Sequence, residues 1–219
     1  MKQSVRDAFL SFTVPLEGVV RWPYRDLKNL VSIGIGNLID PVDLALDLPL
    51  MKPDGTRASS DEIRAAWAAV KGLPGSGLGY KAFEHVTDLR LTDTGIHDLV
   101  FGKLDQNEKV LLNHFMGFDG WPADAQLATL SMAWACGPFF WHTWPKLNAA
   151  LITCDFRTAA TECFMPEEKT FGGLRPRNTA NRNLYLNAAH VFTDPALSPE
   201  TLYWPRYLED EAPTEPSPA

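Results

Sequence analysis

The sequence predicts an α+β fold that is mainly α. Two patterns carry this. Helix caps and helical spacing recur from residue 59 to residue 191. Strand-like runs occur only near the N-terminus, at Val19-Val20-Arg21-Trp22 and Val31-Ser32-Ile33-Gly34-Ile35. The 219 residues are 45% hydrophobic, with 7 Trp and 12 Phe, which is enough to build a core.

Residues 3–18 form an amphipathic helix, because Val5, Phe9, Phe12 and Leu16 fall on one face. Glu17 lies near its C-terminal end, and Pro15 can distort the last turn. Between the two strand-like runs, Asp26-Leu27-Lys28-Asn29 reads as a turn. Asn29 tolerates the left-handed conformation better than most residues. Gly34 and Gly36 bend the second strand or let a ligand approach the backbone. Residues 38–57 read as a loop ending in the turn signal Pro53-Asp54-Gly55-Thr56.

Ser59-x-x-Glu62 is a capping box that opens a helix through about Lys71. The glycine-rich stretch 72–79 is either a lip over a groove or a plain connector. Thr92 caps a helix from Asp93 to about Phe115, with a break expected near Gly102. Trp121-Pro122-Ala123-Asp124 starts a helix of small and apolar residues, Ala125 to Cys136, which is apolar nearly all round and so should be the central buried helix. Thr143 to Ile152 is helical, with Trp144, Leu147 and Leu151 on one face. Asp155 caps a helix from Phe156 to about Phe164, residues 166–175 form a polar loop, and Asn178 to Val191 is the last substantial helix. The acidic, Pro-rich tail 208–219 should be disordered.

Composition narrows the function classes. The net charge is −7 and there is no Lys/Arg-rich block, so nucleic acid has little electrostatic purchase. No apolar run is long enough to insert in a membrane, and the N-terminus shows no secretory signal. Three cysteines without a Cys-x-x-Cys pair suggest free thiols, with one Cys154–Cys163 bridge as the alternative. The scattered histidines offer no zinc motif, and Gly34-x-Gly36 is not a dinucleotide fingerprint. No metal or cofactor is expected.

The chemistry that remains belongs to carboxylates. Glycosidic cleavage needs one protonated carboxyl to donate to the leaving oxygen, and a second group to activate water or stabilise positive charge. Glu17 would be the acid; partial burial by Phe12, Val20 and their neighbours is expected to raise its pKa, while a more solvated Asp26 stays ionised. Ser32 could hold the attacking water. Trp22, Tyr24, Phe139, Phe140, Trp141 and Trp144 could stack on sugar rings or pack in the core.

Glu17-Gly18, then Tyr24-x-Asp26, then Ser32-Ile33-Gly34-Ile35-Gly36 resembles the phage-type lysozyme family of peptidoglycan muramidases. That family reads Glu-Gly, then Tyr-x-Asp-x-x-Gly-x-x-Thr-Ile-Gly-x-Gly-His, and the spacing from Glu17 to Asp26 to Ser32 fits without a gap. The resemblance implies that Glu17 is the catalytic acid and that Asp26 and Ser32 are its partners. It places Tyr24, Gly34 and Asn37 at the substrate or in support. A weaker likeness at Gly173-Leu174-Arg175-Pro176-Arg177 implies that Arg177, or else Arg182, positions the acid. Ser32 stands where the family has Thr, Asn29 where it has a turn Gly, and Asn37 where it has His. Asn178 and Asn181 replace an Arg and a Glu, and residues 40–58 and 71–90 look like insertions.

The organisation implied is a single lysozyme-like domain over 1–207. A small lobe spans about 15–71, and a helical lobe spans about 80–207 with residues 1–14 packed on it, the two lobes flanking a groove. The expected function is glycan-strand hydrolysis between N-acetylmuramic acid and N-acetylglucosamine. A monomer made in the cytoplasm would act on the wall, in the periplasm, after release as a phage endolysin or injection as an antibacterial effector. Peptidoglycan is the expected partner, and delivery machinery or an immunity protein would accompany an effector. The alternatives are a non-catalytic wall-binding or structural module of the same fold, and a lytic transglycosylase.

Overall fold

A computed structural model describes residues 1–75, 77–166 and 174–208. The fold is α+β and mainly α, with seven α-helices and two small antiparallel sheets among the described residues. The chain divides into two compact units, one of Glu17–Lys103 and one of Met1–Leu16 with Leu104–Ala219. Residues 72–103 therefore fall with the N-terminal sheet, beyond the sequence boundary near 71.

In the Glu17–Lys103 unit, strands β1 (Val20–Arg25), β2 (Val31–Gly34) and β3 (Asn37–Leu38) form one sheet in that order. Val20 pairs with Gly34 and Tyr24 with Ser32, so residues 21–23 bulge out of register. Pro23 sits in this bulge, where its missing amide costs no ladder bond. The first turn is as expected: Asn29 adopts φ 60°, and Asp26 Oδ1 accepts hydrogen bonds from the amides of Lys28 and Leu30. The third strand was not expected. It returns because Gly34 and Gly36, at φ 71° and 81°, turn the chain back, more sharply than the expected bend.

Helix α2 (Ser60–Gly72) braces this sheet and opens with the predicted capping box. Lys71 at its end pairs with Asp40 Oδ2, which also accepts from the Val31 amide. Burial alone would raise the Asp40 carboxyl, but the Lys71 and Val31 hydrogen bonds and the Lys71 charge hold it below its ordinary value. Trp67 donates its indole N–H to Ile39 O. Within the loops 38–57 and 72–92 the chain forms a second sheet, β4 (Leu50–Met51) against β5 (Arg90–Leu91). Arg25 is buried and donates to Leu73 O and Gly75 O, which anchors the start of the glycine-rich stretch; Ser76 lies outside the described residues. Helix α3 (Asp93–His114) begins in this unit, with Thr92 Oγ1 accepting from the Gly95 amide. It passes Gly102 without the expected break.

The other unit is built on α4 (Ala123–Cys136), and every residue from Ala123 to Ala133 is buried, as its uniform apolarity predicts. Helix α1 (Gln3–Glu17) buries Val5, Phe9 and Phe12. Helices α5 (Pro145–Ile152), α6 (Phe156–Glu162) and α7 (Leu174–Thr193) complete it, with α7 packed along α4 and α6. Asp155 caps α6 through the Thr158 amide. Helix α7 starts at Leu174, earlier than the expected Asn178. Pro176 is no obstacle there, because amides of a first helical turn lack intrahelical partners.

Buried polar groups of α4 are satisfied. Thr129 Oγ1 lies 2.9 Å from the Tyr185 hydroxyl, and Gln126 donates to Phe118 O. Asp124 accepts from Asn187 Nδ2 and from the amides of Tyr203 and Trp204, tying down the C-terminal segment. Burial pushes its carboxyl up to about 6 against those bonds. All three cysteines are free, so the alternative Cys154–Cys163 bridge is not formed. Residues 167–173 of the expected polar loop and 209–219 of the expected disordered tail lie outside the described residues.

Candidate active site

Six of the sequence-predicted site residues belong to the Glu17–Lys103 unit: Glu17, Tyr24, Asp26, Ser32, Gly34 and Asn37. Helix α1 ends at Glu17 because Gly18 follows in the left-handed region, at φ 73°. An acidic residue at a helix C-terminus is unfavourable by about 0.3–1 kcal/mol. Helix stability therefore gives no reason for Glu17. Its Oε2 lies 3.8 Å from where a Cβ on Gly36 would stand, so the carboxylate rests against the bare turn between β2 and β3.

Tyr24 links the carboxylates. Its hydroxyl is raised above the ordinary value, first by burial and then by the charges of Asp26 and Glu17. One half-buried phenol thus lies in the field of both acids. The expected solvation contrast is reversed: Glu17 is exposed and Asp26 is half-buried. The reason is local. Glu17 stands at a helix end facing a turn without side chains, whereas Asp26 folds back onto the amides of its own turn. Asp26 Oδ1 is thereby committed, which leaves Oδ2 for chemistry.

Ser32 sits opposite Tyr24 in the β1–β2 register but is only 4% exposed, so any water it holds must be a buried one. Asn37 is equally buried, and its Oδ1 accepts from the Ile35 amide at 3.3 Å. A Cβ on Gly34 would stand 3.0 Å from that same oxygen. Gly34 and Asn37 therefore shape the turn that faces Glu17.

The two arginine candidates lie in the other unit and differ sharply. Arg177 is 2% exposed and donates to Ser131 Oγ at 2.9 Å. Arg182 is exposed, bonds Asn183, and lines a cavity of about 390 Å³ with Thr161, Cys163, Arg175 and Thr179. Asn178 holds the Met165 amide and carbonyl, a structural task. Asn181 is fully buried, and among the described residues its side-chain atoms find no partner. The aromatic run 139–141 divides: Phe139 is 58% exposed, Phe140 is buried, and Trp141 stacks on His114 at 3.7 Å.

Sequence reasoning missed Tyr80. The Trp22 indole donates to its carbonyl, and its ring meets both Trp22 and Tyr24. Fifty-eight residues separate Trp22 from Tyr80, and no local pattern joins them. Among the described residues, no group of three or more His, Cys, Asp and Glu side chains could hold a metal ion. Nor is any of their helices long and apolar enough to cross a membrane. Comparison with protein-family models finds no match, and comparison with curated proteins finds no relative.

Proposed function

We propose that this protein is a muramidase of lysozyme-like fold, hydrolysing peptidoglycan between N-acetylmuramic acid and N-acetylglucosamine. Glu17 protonates the leaving sugar oxygen. Asp26 acts through Oδ2 to stabilise positive charge at the sugar or to activate water, and the reaction needs no metal. One observation carries the reading: the Glu17 carboxylate rests on the bare Gly36 turn and shares the field at Tyr24 with Asp26. A polymer can reach an exposed carboxylate beside a turn without side chains. The biological setting that fits is a phage endolysin or an injected antibacterial effector acting on the wall.

A second reading has its own support. Asp26 spends one oxygen on its turn and Ser32 is buried, so the water-handling side is thinner than the acid side. That favours a lytic transglycosylase, which uses one acid and no water. The shared claim is tested with a peptidoglycan suspension. Wild-type protein should clear it, and Glu17→Gln should slow clearing by at least about a hundredfold. Equal clearing by the two proteins would sink both enzymatic readings, and wall binding without release of sugar ends would leave a non-catalytic module.

A further inference from the structure

The Glu17–Lys103 unit carries an aromatic surface that the carboxylate chemistry does not use. Tyr80 is 45% exposed, high for a large ring. It opens a short 3-10 turn, Tyr80–Phe83, in the segment after α2. Trp22, from the β1 bulge, donates its indole N–H to Tyr80 O at 3.0 Å. Their rings lie 6.3 Å apart and tilted by 36°, and Tyr24 meets Tyr80 nearly edge-on at 6.4 Å.

Trp22 is itself backed. The Arg90 guanidinium lies 5.4 Å over its ring and is held by the carbonyls of Glu84, Thr87 and Leu89. Rings fixed from behind and exposed in front present a stiff face, which costs little entropy when a ligand orders on it. Core packing would have buried Tyr80, and a plain connector would not need its carbonyl pinned by an indole.

We infer that Tyr80 and Trp22 form a stacking subsite for an N-acetylated pyranose ring of the glycan, continuous through Tyr24 with the Glu17–Asp26 cluster. The chemistry suits a sugar. A pyranose offers an apolar C–H face to the negative face of an aromatic ring, while its hydroxyls and acetamido group stay in water. Tyr24 ties the place down, since its ring touches Tyr80 and its hydroxyl feels both carboxylates. The subsite rests on the glycan-cleaving reading for its substrate, but not on turnover.

The test uses the full chain with Glu17→Gln as background and N-acetylglucosamine tetramer as probe, with binding measured by calorimetry. Tyr80→Ala should weaken binding about tenfold, and Tyr80→Phe should restore it. In the active protein Tyr80→Ala should raise KM while leaving kcat within about twofold, a split that a loss of fold would not give. If Tyr80→Ala does not fold, Tyr80→Leu keeps apolar packing on Trp22 without a ring face and makes the same comparison. Unchanged binding in Tyr80→Ala or Tyr80→Leu overturns the inference, as does a parent protein that does not bind the tetramer. Loss of tetramer binding in Tyr80→Ala, together with full activity in Glu17→Gln, would sink the catalytic reading and leave the subsite standing.

Discussion

The two units differ in where their notable carboxylates stand. In the helical unit, polar groups are sunk in an apolar helix and paired there: Asp124, Gln126 and Thr129 of α4 are all fully buried and all bonded. The Glu17–Lys103 unit also buries and pairs polar groups, Arg25 among them, but its candidate carboxylates stand at an end and a turn. Glu17 ends a helix, Asp26 opens a turn, and Asn37 closes one. A buried, paired polar group specifies a fold. Asp26 still serves its own turn through Oδ1, whereas Glu17 stands at a helix C-terminus, which gains nothing from an acid. The proposed site draws on the carboxylates of the smaller unit.

The largest effect expected from the contrast is in the core. Leu130→Ala in α4 removes a fully buried side chain and should cost about 2–5 kcal/mol in urea unfolding. A cost under about 1 kcal/mol would deny that α4 is the centre of its unit.

Titration separates the units next. Asp124 is raised to about 6 from an ordinary 3.8, so the folded chain holds that proton more tightly than the unfolded chain. Its contribution to stability is complete below 3.8 and is lost as pH rises through about 6. Asp40 has the opposite sign. Held below its ordinary value, it contributes above that value and loses the contribution as pH falls through its folded value. Asp124→Asn should therefore flatten a decline in stability between pH 4 and 6, about 3 kcal/mol at most. Asp40→Asn should flatten a decline in more acid solution. Identical pH profiles in the two variants would erase the comparison.

Smaller effects sharpen the turn. Gly34→Ala places a Cβ 3.0 Å from Asn37 Oδ1 and 3.3 Å from Leu99 at a positive φ. Gly36→Ala meets only Glu17 Oε2, at 3.8 Å. Both should cost about 1–2 kcal/mol of backbone strain, with Gly34→Ala the worse. Gly36→Ala should instead show more in turnover than in stability, because its methyl reaches the acid. The smallest effect belongs to Asn181→Leu. Asn181 is fully buried and its side chain makes no bond among the described residues, so an apolar side chain of similar shape should be neutral or stabilising in the same unfolding assay.

Much of the fold was legible where one local cause decides the outcome. The Ser59–Glu62 capping box placed the start of α2, uniform apolarity marked α4, and Asn29 marked the left-handed turn. What stayed hidden depended on distant partners. Strands β4 and β5 are two residues each and about 40 positions apart, too short to alternate. The first turn of α7, Leu174 to Arg177, lies ahead of the expected start at Asn178. At the site, the motif named the carboxylates but not their solvation, since Asp26 turns inward only once its own loop closes. Tyr80 was out of reach because its partner Trp22 is 58 residues away along the chain.

The most direct measurement is mass spectrometry of the fragments released from purified peptidoglycan by the wild-type chain and by Glu17→Gln. Hydrolysis by Glu17 predicts wild-type fragments ending in a reducing N-acetylmuramic acid that carries one added water, and almost none of them from Glu17→Gln. Anhydro ends would move the assignment to transglycosylation. The same reducing ends at the same rate from both proteins would contradict the assignment of Glu17 as the acid.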